Sequence, residues 1–360
     1  MKTLLRLLLK SQHQRNRSGP AQTDKGMTLV ELLVGAIMAF LIITPMLGFV
    51  VDMLNTDRRE QVKSNTEQDV QAALDFIAQD LSQAIYIYDN RALNGPPAPN
   101  EQAVAPQLPP VANGTPILVF WKRKQIRNAV SVDTNSRVTP LACGQTRPCN
   151  DTYTRSLVAY YQVQNNPNSI WCQPPSGAAC PTRIERIEIS EGIMKNPAGT
   201  DAQTRYFNDS ETNDGQKHNP AFNLNFDWNQ PTRNVTDPGG FRPTNIQAQV
   251  LVNYIDHSRL SPAPPPDECR TALGNPRAPV PGTTTTAPVS EDILKVTNTN
   301  NPDINSFYAC VDTASNIARV TIRGNSLRRL QPNNADYNAQ KSAYFPTASV
   351  QVQGLGARGR

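Results

Sequence analysis

An α+β fold is predicted, with one long N-terminal helix packed on an antiparallel β-sheet head that carries long Pro-rich loops. Three observations predict it. Residues 27–51 hold one ionisable side chain, Glu31, in twenty-five positions. Residues 52–88 carry an apolar stripe at three- and four-residue steps, and neither Gly nor Pro occurs from Val50 to Asn94. After Asn94 the pattern becomes short alternating runs separated by Asn-, Pro- and Gly-rich stretches.

The apolar segment comes first. As a helix, residues 27–51 would be about 38 Å long, enough to cross a hydrocarbon core of about 30 Å. Residues 4–9 are apolar too, but that run is too short to span. Pro45 removes a backbone donor inside the segment, so a kink or local loosening is expected there. The stripe that follows runs through Val62, Val70, Leu74, Ile77, Leu81, Ala84 and Ile85. It predicts a continuous helix from Met27 to about Tyr88, roughly 93 Å long, whose outer part packs on a sheet.

The head begins near residue 91 and opens with a Pro-rich loop at 94–116. Strands are predicted at 117–121, 155–164, 184–190, 248–255, 316–323 and 347–353, several alternating apolar and polar residues as half-buried antiparallel strands do. Long loops fall at 195–245 and 261–303. The composition of 261–290, with three consecutive prolines and four consecutive threonines, reads as mobile.

Charge is unevenly placed. Six of the thirty-five basic residues and one of the thirty acidic residues lie in 1–26, which leaves twenty-nine of each in the remainder. The net charge of +5 therefore belongs to the first 26 residues. A neutral body argues against nucleic acid, which demands clustered Lys and Arg. The basic end is expected to stay in the cytoplasm and the body to lie outside it. The six cysteines, Cys143, Cys149, Cys172, Cys180, Cys269 and Cys310, all follow the membrane segment, and an even set in an exported body reads as disulfides. Short loops favour Cys143–Cys149 and Cys172–Cys180, which leaves Cys269–Cys310. A metal site is the alternative, but there is no Cys-x-x-Cys pair, and His13, His218 and His257 lie far from the cysteines.

No catalytic constellation is present: no G-x-S-x-G, P-loop, H-E-x-x-H or Rossmann glycine pattern. No enzyme activity and no cofactor are expected. His218 and His257 read as surface or loop residues. Asp209, Glu211 and Asp214 beside Gly215 do not have EF-hand spacing and read as a solvated turn rather than a calcium loop.

A secretory signal peptide would place a small-residue cleavage site after its apolar stretch. Here the punctuation precedes it, at Lys25-Gly26-Met27. The run Lys25-Gly26-Met27-Thr28-Leu29-Val30-Glu31-Leu32-Leu33-Val34 resembles the class III signal of type IV pilins and pseudopilins. The resemblance implies a cleaved prepilin leader at 1–26, cut after Gly26 by the prepilin peptidase, with N-methylation of Met27. Met27 stands where that family usually has Phe. It implies a transmembrane helix at 27–51, an amphipathic continuation at 52–90 and an extracytoplasmic pilin head at 91–360. Glu31 would set the assembly register by pairing with the terminal amine of a neighbouring subunit, since an unpaired carboxylate in a bilayer costs several kcal/mol.

Residues 69–84 resemble a stretch in large minor pilins of the PilW kind and in the larger minor pseudopilins of type II secretion. Asp57-Arg58-Arg59-Glu60 and the closing run 343–353 resemble the pseudopilins of cyanobacterial hormogonium polysaccharide secretion. The implied role is a minor subunit that primes or caps a filament used for motility and polysaccharide release. It would lie in the inner membrane as a single-pass protein, then on the pilus, with other pilins, the prepilin peptidase and the assembly platform as partners. The alternatives are a pilus-displayed binding subunit, an adhesin or sugar-binding pilin with Trp121, Trp171 and Trp228 as stacking faces, or a minor pseudopilin of a type II secretion system.

Overall fold

The structure, a computed structural model, describes residues 26–95, 102–132, 149–176, 180–195, 205–208, 219–240, 246–259, 264–279 and 284–358. The chain forms two compact units, Met1–Arg58 and Arg59–Arg360. Helix α1, Leu29–Ser82, contributes to both.

In the first unit, the described part of the chain is helical from Leu29. Pro45 lies inside α1, which continues through it. The Thr44 hydroxyl bonds back to the Phe40 carbonyl at 2.8 Å, the local side-chain bonding that accompanies helix bending.

The second unit is built on two antiparallel sheets. Five strands run in sequence order across the first: β1 (Ala84–Ile87), β2 (Gly114–Ser131), β3 (Cys149–Gln164), β4 (Thr182–Ser190) and β5 (Gln249–Ile255). The second has the order β11-β10-β9-β8, from Thr347–Gln353, Ile317–Arg323, Phe307–Asp312 and Lys295–Val296. A hairpin of β6 (Arg277–Pro279) and β7 (Thr286–Pro288) stands apart. Val70, Ala73, Leu74, Ile77 and Leu81 of α1 are buried, and they share one core with Phe120, Tyr160 and Ile187 of the first sheet and Phe307, Val320 and Ile322 of the second. The helix approaches closely: a Cβ on Gly324, just after β10, would sit 2.7 Å from the Thr66 Cγ2 methyl.

The architecture is mixed α and antiparallel β, and four features differ from the sequence reading. The helix ends at Ser82 rather than near Tyr88. Residues 84–87 form β1 instead, with Tyr86 opposite Trp121 and Ile87 opposite Phe120. The run Ile85-Tyr86-Ile87-Tyr88 alternates β-branched and aromatic residues, which suit a pleated surface better than a helix. The head has two principal sheets rather than one. Strand β8 lies within the predicted loop 261–303, and β9 fills the stretch between that loop and the strand predicted at 316–323. That loop also carries ordered pieces: the short helices α2 (Glu268–Ala272) and α3 (Glu291–Leu294), and the β6–β7 hairpin.

Candidate functional site

The N-terminal element is built from the cap upward. Thr28 precedes α1. Its carbonyl accepts from the Glu31 and Leu32 amides at 3.0 and 3.1 Å, and its hydroxyl accepts from the Glu31 amide at 3.3 Å. Thr28 is thus the N-cap and Glu31 the third helical residue, the Thr-x-x-Glu spacing of a capping box. That role of Thr28 escaped the sequence reading, although the spacing carries the signal.

From Met27 to Leu54 the large apolar side chains face outward: Leu29 is 86% exposed, Phe40 70% and Phe49 72%. The most apolar stretch of α1 buries none of its residues within the chain, and it is long and apolar enough to cross a membrane. Each large side chain gains about 1.5–3 kcal/mol on leaving water, so such a surface calls for lipid or other helices. Glu31 interrupts it. Among the described residues, none pairs with its carboxylate.

A second acid on the same helix has a different setting. Asp80 is buried where α1 ends on the sheet. One carboxylate oxygen accepts from Lys122 of β2 at 2.8 Å. The other accepts from Tyr160 of β3 and Arg186 of β4, each at 2.7 Å. Arg186 also donates to Glu188 at 2.6 Å, and Lys122 and Lys124 lie 3.4 and 3.2 Å from Glu188. Burial alone would raise the Glu188 carboxyl, but Lys122, Arg186 and Lys124 hold it down at about 2. Burial, the Asp80 charge and the bond to it push the Tyr160 phenol well above its usual range, so it stays a donor. Each of the two carboxylates is contacted by more than one cation. The arrangement fixes the helix on three strands at once.

A cleft of about 560 Å3 opens beside this anchor, between α1 and β5. Phe76 and Ala72 of α1 form one wall. Ile170 and Trp171 form another, and residues 250–254 of β5 the floor. Asp69 and Arg329 pair across it. Ile170 and Trp171 are the central residues of a turn closed by the Cys172 amide on the Ser169 carbonyl, at 3.0 Å.

No protein-family model, curated protein or solved structure matches this chain. The functional reading therefore rests on the residues themselves.

The remaining candidates fall in different places. Cys172–Cys180 and Cys269–Cys310 are bonded, and Cys149 is also disulfide-bonded. Cys143, the leader residues 1–25, His218, and the Asp209, Glu211, Asp214 and Gly215 cluster lie outside the described residues. Gly26 and Met27 are exposed ahead of the helix. His257 is in a loop, yet buried rather than on the surface, with Nε2 3.5 Å from Asp336. Burial lowers its affinity for a proton against the opposing pull of Asp256 and Asp336.

The three tryptophans do not share a surface role. Trp121 is fully buried, with its indole N–H on Tyr88 at 2.8 Å, so it offers no stacking face. Trp228 is 38% exposed, and Trp171 is half-buried in the cleft. Trp121 sits in the middle of β2, where the strand is covered on both faces; its type alone could not reveal that.

Proposed function

We propose that this chain is a type IV pilin-like minor subunit, made as a prepilin, cut after Gly26, and carried in the inner membrane by α1 until it primes or caps a filament. The observation that carries this reading is the setting of Glu31. A carboxylate with no partner among the described residues stands on the outward-facing apolar stretch of α1, four residues after Met27. In lipid that carboxylate needs a cationic partner. The amine exposed by cleavage of another copy or another subunit supplies one of the right charge at the right depth. The β-rich head with long loops supports a minor rather than a bulk subunit, because bulky loops hinder close repetition. The resemblance of residues 343–353 supports a filament for motility and polysaccharide release, and no catalytic role is assigned.

Mass spectrometry of the mature chain tests the reading. The expected first residue is N-methylated Met27. An intact Met1 terminus in cells with an active prepilin peptidase overturns it.

A further inference from the structure

We propose that the cleft between α1 and β5 is a peptide-binding site, in which an extended, uncharged segment of another protein adds as a strand to β5. The inference does not depend on the filament reading. The two edges of the first sheet differ. The β1 edge is closed by the segment after β11: a Cβ on Gly356 would lie 2.0 Å from the Ile85 carbonyl oxygen, so this segment lies directly on that strand. The β5 edge is treated differently. Its last residues are covered, with the Asn325 amide on the Tyr254 carbonyl at 2.7 Å and the Asp256 amide on the Arg323 carbonyl at 3.0 Å. Residues 249–253 form the end strand of the sheet and line the cleft from Val250 onward. Exposed edges are usually protected by charge or proline, and Gln249-Val250-Leu251-Val252-Asn253 has neither.

The walls specify the occupant. Turn corners usually hold Gly, Asn, Asp or Pro, yet this one holds Ile170, 77% exposed, and Trp171. The turn is braced. The Asn253 side-chain Nδ2 donates to the Trp171 carbonyl at 2.9 Å, the Asn165 Nδ2 donates to the Asn253 Oδ1 at 3.0 Å, and Cys172 is bonded to Cys180. An apolar pair held rigidly beside an open strand is the composition of an interaction hot spot. Ala72, Phe76, Ile170, Val250 and Leu251 give the cleft an apolar lining that suits apolar side chains of a peptide. The two charged groups lining the cleft, Asp69 and Arg329, neutralise each other, so the complementary occupant is neutral there. Main-chain bonds to a sheet edge, with side chains in flanking pockets, are the established physics of strand addition. The open edge accepts about five residues, roughly 17 Å of strand.

The test uses the full chain in detergent micelles and a fluorescent, end-capped peptide of the sequence of residues 249–253. Its Val-Leu-Val centre reads the same in both directions and so faces β5 in either orientation. Fluorescence anisotropy should show saturable binding. Affinity should fall at least tenfold when the peptide's central Leu is replaced by Pro, and at least tenfold on Ile170→Glu or Val250→Lys in the chain. Deuterium exchange should show new protection at residues 250–253. Absence of saturable binding, equal binding of the Pro peptide, or protection elsewhere overturns the proposal. So does a chain that instead pairs with a second copy through this face, or one that takes an oligosaccharide there with the peptide excluded.

Discussion

Glu31 and Asp80 are two acids on one helix, and their surroundings give them different work. Asp80 is held by Lys122, Tyr160 and Arg186, which come from three separate strands. Its neighbour in the cluster, Glu188, carries the measurable consequence. Its carboxyl sits at about 2 against an ordinary 4.5. A depressed folded-state value means that the charged form is favoured by folding. The contribution is complete above about pH 4.5 and is lost as the pH falls towards 2. A shift of that size corresponds to something on the order of 3 kcal/mol. Glu188→Gln should therefore lower the urea midpoint of the head transition at pH 7, and the gap to wild type should narrow steadily between pH 4.5 and 2. A gap that stays constant over that range would show that the Glu188 charge does not stabilise the fold. Glu31 was legible from sequence, as the lone ionisable residue in an apolar run. The Asp80 cluster was not, because its partners lie 42 to 106 residues away and no local pattern announces them.

At the scale of elements, periodicity located α1 and six of the strands, because burial on one face writes a 3.6 or a 2.0 repeat into the sequence. It failed where an element is too short or too buried to alternate. All six residues of β9, Phe307–Asp312, are buried, so they read as neither period. The end of α1 was misplaced because Ala84 and Ile85 continue the helical spacing by chance, while pairing with β2 takes them into a strand. How closely α1 meets the second sheet is also invisible in sequence, and it yields a test. Gly324 leaves room for the Thr66 methyl, with the Val70 Cγ2 next at 3.1 Å from a built Cβ. Gly324→Ala should overpack this contact and destabilise the head by about 1–3 kcal/mol. Thr66→Ser removes the nearest methyl and should restore part of the loss in the double variant. If the two changes simply add, as independent sites do, the contact does not limit how closely α1 packs.

At the scale of the whole molecule, the chain joins an apolar helical surface to a head with its own core, and Glu31 is where the two readings of the N-terminal segment diverge. Thr28 and Glu31 stand at capping-box spacing, so Glu31 has a local role open to it that involves no other subunit. The proposed filament role requires its charge. A single substitution separates them, because a capping box accepts Gln in place of Glu, whereas a Gln in the bilayer cannot neutralise an amine. Glu31→Gln should leave membrane insertion, helix content and cleavage after Gly26 as in wild type, measured by fractionation, circular dichroism and mass spectrometry. It should lower incorporation into filaments at least tenfold, measured by immunoblotting of sheared pili. Glu31→Ala, which removes the charge and any capping by the side chain together, should be no better. If the Gln chain enters filaments normally and the Ala chain does not, residue 31 acts through the helix cap, and the axial register must be set by another contact.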